Sequence, residues 1–241
     1  MKPSTEDFKK LKDPEKINDL LIKFSENPDV EHLKYLNYFI DIPNTQLINK
    51  IKLNLVYLIG EIGLKLPLDH KYLNYLLESY YTSDRWVRNE IIQAFGKVST
   101  KIDMTDDIIR LIGYAINDDY DPIKFNALKI IYEFEILPRM ILRNIFQALN
   151  YKDRGNEDLY ANIFHKFLPD FHQLFDSLNN QENFKLLKSK SIRFLLLTYF
   201  QSSITIESFR KMILDSNWEE HFKELYLKEI DVYEKILIQK M

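Results

Sequence analysis

The 241-residue chain has no cysteine and only five glycines. Without cysteine there is no disulfide framework, no thiolate metal site and no cysteine nucleophile. So few glycines disfavour a glycine-rich phosphate loop and a turn-rich β fold. An excess of charge of one sign is missing too. Lys+Arg 33 against Asp+Glu 36 gives a net charge of −3 and a pI of about 6.0. A nucleic-acid binder usually carries a basic stripe or a basic pI, so the balance argues against that class. No run approaches the roughly 18 consecutive apolar residues of a membrane span. The most apolar segment, Leu53 to Leu68, is interrupted by Asn54, Glu61 and Lys65. The opening MKPSTEDFKKLKDPEK lacks the apolar core of a signal peptide. The expectation is a soluble cytoplasmic protein.

Patterns that carry chemistry are absent as well. The histidines are His32, His70, His165, His172 and His221. None makes a His-x-x-x-His or His-Glu-x-x-His pair, which disfavours a metal centre. No Gly-x-Ser-x-Gly or Gly-x-x-x-x-Gly-Lys occurs. The acidic run Asp118-Asp119-Tyr120-Asp121 lacks the central glycine and final glutamate of a calcium loop. It reads as helix capping. The sequence therefore implies no enzyme, no metal and no cofactor.

What is present is a period. Ile51, Val87, Ile123 and Leu159 are spaced 36 residues apart. Four positions later stand Leu55, Ile91, Ala127 and Ile163, and eight positions later Ile59, Phe95, Ile131 and Phe167. Thirty-six residues make about ten helical turns, so one continuous helix would keep the same phase. Pro43, Pro67, Pro122, Pro138 and Pro169 exclude that. A period in this range, with a helix–turn–helix per unit, predicts stacked helical hairpins.

The caps agree. Asp13-Pro14-Glu15, Asp84 and Asp121-Pro122 are good helix starts. Residues 1–13 read as a loose leader and 14–241 as one helical array. Its clearest repeats are 30–168, and 169–241 is degenerate. Between Phe184 and Phe200 a helix is expected to bury Leu187, Phe194, Leu195 and Leu197. The last helix, around Trp218 to Ile238, reads as a terminal cap.

The copies DRWVRNEIIQAFGKV and DPIKFNALKIIYEF resemble HEAT repeats, through Asp84, Val87, Arg88, Phe95 and Gly96 and through Asp121, Pro122, Ile123, Lys124 and Ala127. The resemblance covers residues 44–168 well and the flanks weakly. It implies an all-α, right-handed α-solenoid of about five to six hairpins with atypical terminal caps. HEAT proteins are mostly scaffolds and adaptors, so it also implies a protein-binding role along a concave inner-helix surface.

Two sets of residues follow. Lys52, Arg88 and Lys124 form a basic column, which the resemblance pairs with the turn residues Asp84 and Asp121 as a structural charge ladder. At about 100° per residue, the face opposite the buried stripe carries Leu53, Tyr57, Asn89, Gln93, Phe125 and Lys129, with Trp86 and Tyr132 nearby. Tyr57, Trp86, Asn89, Gln93, Phe125 and Lys129 are the candidate protein-binding surface. Lys185, Lys188, Lys190 and Arg193 make one further basic cluster. An alternative is a nucleic-acid binder similar to the DNA alkylpurine glycosylases built from HEAT-like repeats. The only tryptophans, Trp86 and Trp218, are too far apart in sequence for that family's aromatic motif. Another is a subunit of a larger assembly. Neither alternative implies a small-molecule substrate.

Overall fold

Proline and acidic caps start the helices where the sequence places them. In the computed structural model, which describes residues 11–42, 44–151, 155–200 and 203–239, Asp13 accepts from the Glu15 N–H at 3.1 Å and opens α1, Pro14–Glu26. A 3₁₀ turn, Val30–His32, leads into α2, Leu33–Ile40. Asn44 caps α3, Thr45–Lys65, and Asp84 caps α5, Arg85–Val98, with α4, His70–Tyr81, between them. Then come α6, Asp106–Ala115, and α7, Asp121–Glu133. Next are α8, Arg139–Ala148, α9, Glu157–Phe167, and α10, Phe171–Asn179. A second 3₁₀ segment, Asn180–Leu186, precedes α11, Ser189–Tyr199, α12, Ser203–Asp215, and α13, Glu220–Gln239. The fold class is all-α, with no strand among the described residues. No helix among them is long and apolar enough to cross a membrane. The leader positions 1–10, the breaker Pro43, loop residues 152–154 and the side chain of Leu237 fall outside the described residues.

The chain forms two compact units, Met1–Ala127 and Leu128–Met241. In the first, α3 packs against both α1 and α5, and α4 packs against α5 and α6. Alternate helices therefore touch, as well as consecutive ones. The buried stripes are the periodic ones. Ile51, Leu55 and Ile59 on α3, Val87, Ile91 and Phe95 on α5, and Ile123 and Ala127 on α7 are all buried. Each large side chain so enclosed contributes on the order of 1.5–3 kcal/mol.

The contact between α3 and α5 is close because two residues have no side chain. A Cβ on Gly60 would sit 3.1 Å from both Cα and Cβ of Ala94. One on Gly63 would sit 2.5 Å from the Val98 Cγ2 and 3.0 Å from the Leu68 Cδ1. A mid-helix glycine costs about 1 kcal/mol relative to alanine, so two in one helix need a packing reason. Close approach is that reason here.

In the second unit the expected phase holds only in part: Ile131 is buried, but the pattern shifts on α9. Leu159 and Phe167, expected in the buried column, are only half-buried on α9; Ile163 is enclosed as expected, and Tyr160 and Phe164 are enclosed beside it. The stripe has turned by one residue. The helix expected from Phe184 to Phe200 is broken at Leu187 and Lys188. Gln181 and Glu182 have φ of 52° and 53°, so the chain turns through left-handed backbone, which strains residues with a side chain. On α11 the buried residues are Ile192, Leu195 and Leu196, whereas Leu197, expected inside, is 61% exposed. The i, i+3, i+4 pattern around Leu195 leaves Leu197 about 200° away from it.

Aromatic stacking fills this second core. Trp218 lies parallel to Phe184 with ring centroids 4.3 Å apart and stacks on Phe175 at 5.5 Å. Phe200 and Phe209 close the cluster at 5.1 Å. Asn150 ties down the broken segment. Its side-chain amide donates to the Leu186 carbonyl at 2.7 Å, and its Oδ1 accepts from the Lys188 N–H at 2.9 Å and the Ser191 hydroxyl at 2.7 Å.

Gly63→Ala should destabilise the first unit by about 2 kcal/mol, since the extra methyl overpacks against Val98 and Leu68. Gly155→Ala, which meets nothing within 4 Å, should leave stability within about 0.5 kcal/mol. Urea denaturation of the two variants checks both.

Candidate functional site

The candidate surface lies on the sides of α3, α5 and α7 away from the enclosed stripes. Leu53 is 44% exposed, Tyr57 39% and Phe125 42%. Asn89 and Gln93 are half-buried beside them, and Lys129, in the second unit, is exposed. Hydrogen bonds between side chains about one period apart run along this surface. The Asn54 amide donates to Asn18 Oδ1 at 2.9 Å, joining α3 to α1. The Asn126 amide donates to Asn89 Oδ1 at 3.0 Å, joining α7 to α5.

Trp86 belongs to a different grouping. It is 55% exposed at the start of α5 and meets Tyr120 edge-on, centroids 5.6 Å apart. The Arg85 guanidinium lies 5.1 Å from the Trp86 ring and 5.4 Å from that of Tyr120. The structure thus assigns Trp86 a stacked cation and a neighbouring ring at the turn into α7.

The cluster around Tyr57 was not read from the sequence. The Lys97 ammonium sits 4.6 Å from the Tyr57 ring centroid and 2.9 Å from Glu61 Oε1. It is 3.7 Å from Glu90 Oε1, close enough for charge attraction but too long for a hydrogen bond. Glu90 Oε1 is buried with no hydrogen-bond donor. Burial pushes the Glu90 carboxyl above its ordinary range, Lys97 pulls it down, and the Glu61 charge adds to the rise. The signal was available in the period itself. Asn18, Asn54, Glu90 and Asn126 are successive members of one 36-residue column, and Glu61 and Lys97 are two members of another.

The charge ladder takes a different form from the one expected. Arg88 does not pair with Asp121. Its guanidinium forms a two-point contact with Asp118, Nε to Oδ2 at 3.0 Å and Nη2 to Oδ1 at 2.9 Å, and Nη2 also reaches Asp119 at 2.9 Å. The Tyr80 hydroxyl donates to Asp118 Oδ2 at 2.8 Å and the Tyr120 N–H to Oδ1 at 3.0 Å. Asp118 is thus a buried acceptor of four donors, its side chain only 5% exposed. Burial alone would raise its carboxyl, but Arg88, the Tyr120 N–H and the Tyr80 hydroxyl hold it below the ordinary value. Lys124 pairs with Asp121 at 3.0 Å within its own helix. Lys52 donates to the Ser83 hydroxyl at 3.3 Å, while Asp84 caps α5 through the Trp86 and Val87 N–H groups. The reason is geometric. The two-toothed guanidinium fits the enclosed carboxylate three positions before the helix start, and Asp121 faces solvent.

The late basic cluster is also divided. Lys185 pairs with Glu182 at 2.9 Å and Glu219 at 2.5 Å, and Arg193 is bound by the enclosed carboxylate of Glu229. Lys190 lines a small cleft with Glu157, Tyr160 and Phe194. No group of three or more His, Asp or Glu side chains that could hold a metal occurs among the described residues. Comparison of the chain with family models, curated proteins and solved structures gives no match.

Asp118→Asn should cost about 3 kcal/mol at pH 7, because it leaves Arg88 facing a neutral group in a partly buried site. A carboxyl held low in the folded state stabilises fully above its unfolded pKa, and that stabilisation is lost as pH falls through the folded value. The gap between wild type and variant should therefore be complete at neutral pH and close below the ordinary Asp value of 3.8. Denaturation midpoints measured from pH 7 to pH 2.5 test the sign.

Proposed function

We propose that the chain is a non-enzymatic scaffold that binds another protein through the outward face of α3, α5 and α7. The proposal includes its architecture: a HEAT-like α-solenoid of about five to six hairpins with atypical ends. Two features support that architecture. In the first unit, α3 packs on α1 and on α5, so alternate helices stack. The side-chain bonds Asn54 to Asn18 and Asn126 to Asn89 join residues 36 and 37 positions apart.

The observation that carries the binding role is the placement of Leu53, Tyr57 and Phe125. Helices whose opposite stripes are almost fully enclosed leave these three large apolar side chains some 40% open. Scattered surface apolar residues are ordinary, whereas these recur at the same outward phase of α3 and α7, with Asn89 and Gln93 at that phase of α5. Aromatic side chains of this kind anchor protein interfaces, because they bury much area at little entropy cost. The half-buried amides of Asn89 and Gln93 supply polar contacts between the anchors. Specificity is then distributed, each helix adding a few side chains. The expected partner is a peptide, a helix or a folded subunit, and no cofactor is required.

Replacing Leu53, Tyr57 and Phe125 together by alanine should leave the fold intact, since all three are exposed. Partner capture should fall by more than tenfold, at about 2 kcal/mol for each true anchor. The measurement is quantitative affinity purification from native cells with wild-type and triple-variant bait. Recovery of the same proteins at the same yield by the folded variant would place the binding surface elsewhere.

A further inference from the structure

The outward side of α3 presents Leu53, Tyr57 and Leu64, at positions i, i+4 and i+11, which share one side of a helix. All three are exposed. Beside this apolar stripe the charges do not balance. Glu61 and Glu90 share one ammonium, that of Lys97, which also lies over the Tyr57 ring. One ring and two carboxylates around a positive group are the elements of a cation site. The chain's own lysine fills it only in part, because Glu90 Oε1 has no hydrogen-bond donor. The remaining charge is negative and the neighbouring surface is apolar.

We propose that this face docks a protein segment bearing an arginine or lysine flanked by apolar side chains. The apolar residues lie along Leu53, Tyr57 and Leu64, and the cation seats against Tyr57, Glu61 and Glu90. The proposal rests on the protein-binding reading above and gives that partner its chemistry. Arginine suits the site better than lysine, since a planar guanidinium can stack on the ring while donating to a carboxylate. The incoming cation takes over the Lys97 contacts to Glu61 and Tyr57 while the long lysine stem carries its ammonium out to water. A partner bringing a carboxylate or a phosphate would meet Glu61 and Glu90 and be repelled.

Phage display tests this with the full chain. A random library of 16-residue peptides is selected on wild-type protein. Enriched peptides are synthesised, and their affinities are read by fluorescence anisotropy on wild type, Tyr57→Ala and Glu90→Gln. The expected peptides carry a basic residue next to Leu, Ile or Phe. Their binding weakens at least tenfold on either variant. It weakens to the same degree on wild-type protein when the peptide's basic residue is changed to alanine, an arm that needs no protein variant to fold. Peptides that need Tyr57 but are indifferent to Glu90→Gln and to loss of their own cation overturn the charge inference and leave the docking face standing. Absence of any Tyr57-dependent peptide overturns both.

Discussion

The first unit depends on how closely α3 and α5 approach. Gly60 and Gly63 remove the side chains that would hold the helices apart, and Ala94 and Val98 fill the space. Beside that contact the Ile51, Leu55 and Ile59 stripe and the Val87, Ile91 and Phe95 stripe are both almost fully enclosed. It also sets what lies on the surface above. With the backbones this near, Lys97 reaches Glu61 and Tyr57 across the helix pair. The packing constraint and the charged cluster are consequences of the same two glycines.

Polar contacts then set the register that apolar burial leaves loose. Hydrophobic packing is nondirectional, and a helix can slide or rotate slightly at small cost. Asp118 removes that freedom. Through Tyr80 and Arg88 it joins the end of α4, the start of α5 and the turn before α7. Tyr72 acts similarly at the other end of α4, donating to Asn37 Oδ1 on α2 at 3.0 Å. Burial raises both phenols, that of Tyr80 the more, so both stay protonated donors at neutral pH. Each satisfied polar pair contributes about 1 kcal/mol, but an unsatisfied one in the same place would cost more.

The second unit solves the same packing problem with different side chains. Where the first unit packs branched aliphatic stripes, the second relies on flat rings around Phe184 and Trp218. The left-handed pair Gln181 and Glu182 shows the backbone cost, about 1–3 kcal/mol for each such residue. Arg143 offsets part of it by donating to the Gln181 carbonyl and to Asn183 Oδ1.

Periodicity and capping determined the helices of the first unit, because a buried stripe and an acidic cap are local properties of the chain. Asp13, Asn44 and Asp84 start helices where their side chains can accept the first N–H groups. The outward phase of Leu53, Tyr57 and Phe125 was legible for the same reason, but their exposure was not, since residues at that phase can also pack laterally against the neighbouring helix. Other features were decided in three dimensions. The choice of Asp118 over Asp121 as the partner of Arg88 depends on which carboxylate is enclosed, and neighbouring acids in one turn look alike in sequence. The turned stripe on α9 and the broken helix before α11 follow from aromatic packing that no fixed period describes. The pairing of Glu61 and Glu90 with one ammonium exists only because two glycine-bearing turns bring α3 and α5 within reach of a lysine side chain. Local chemistry chose the helices; the distance between their backbones chose which charges meet.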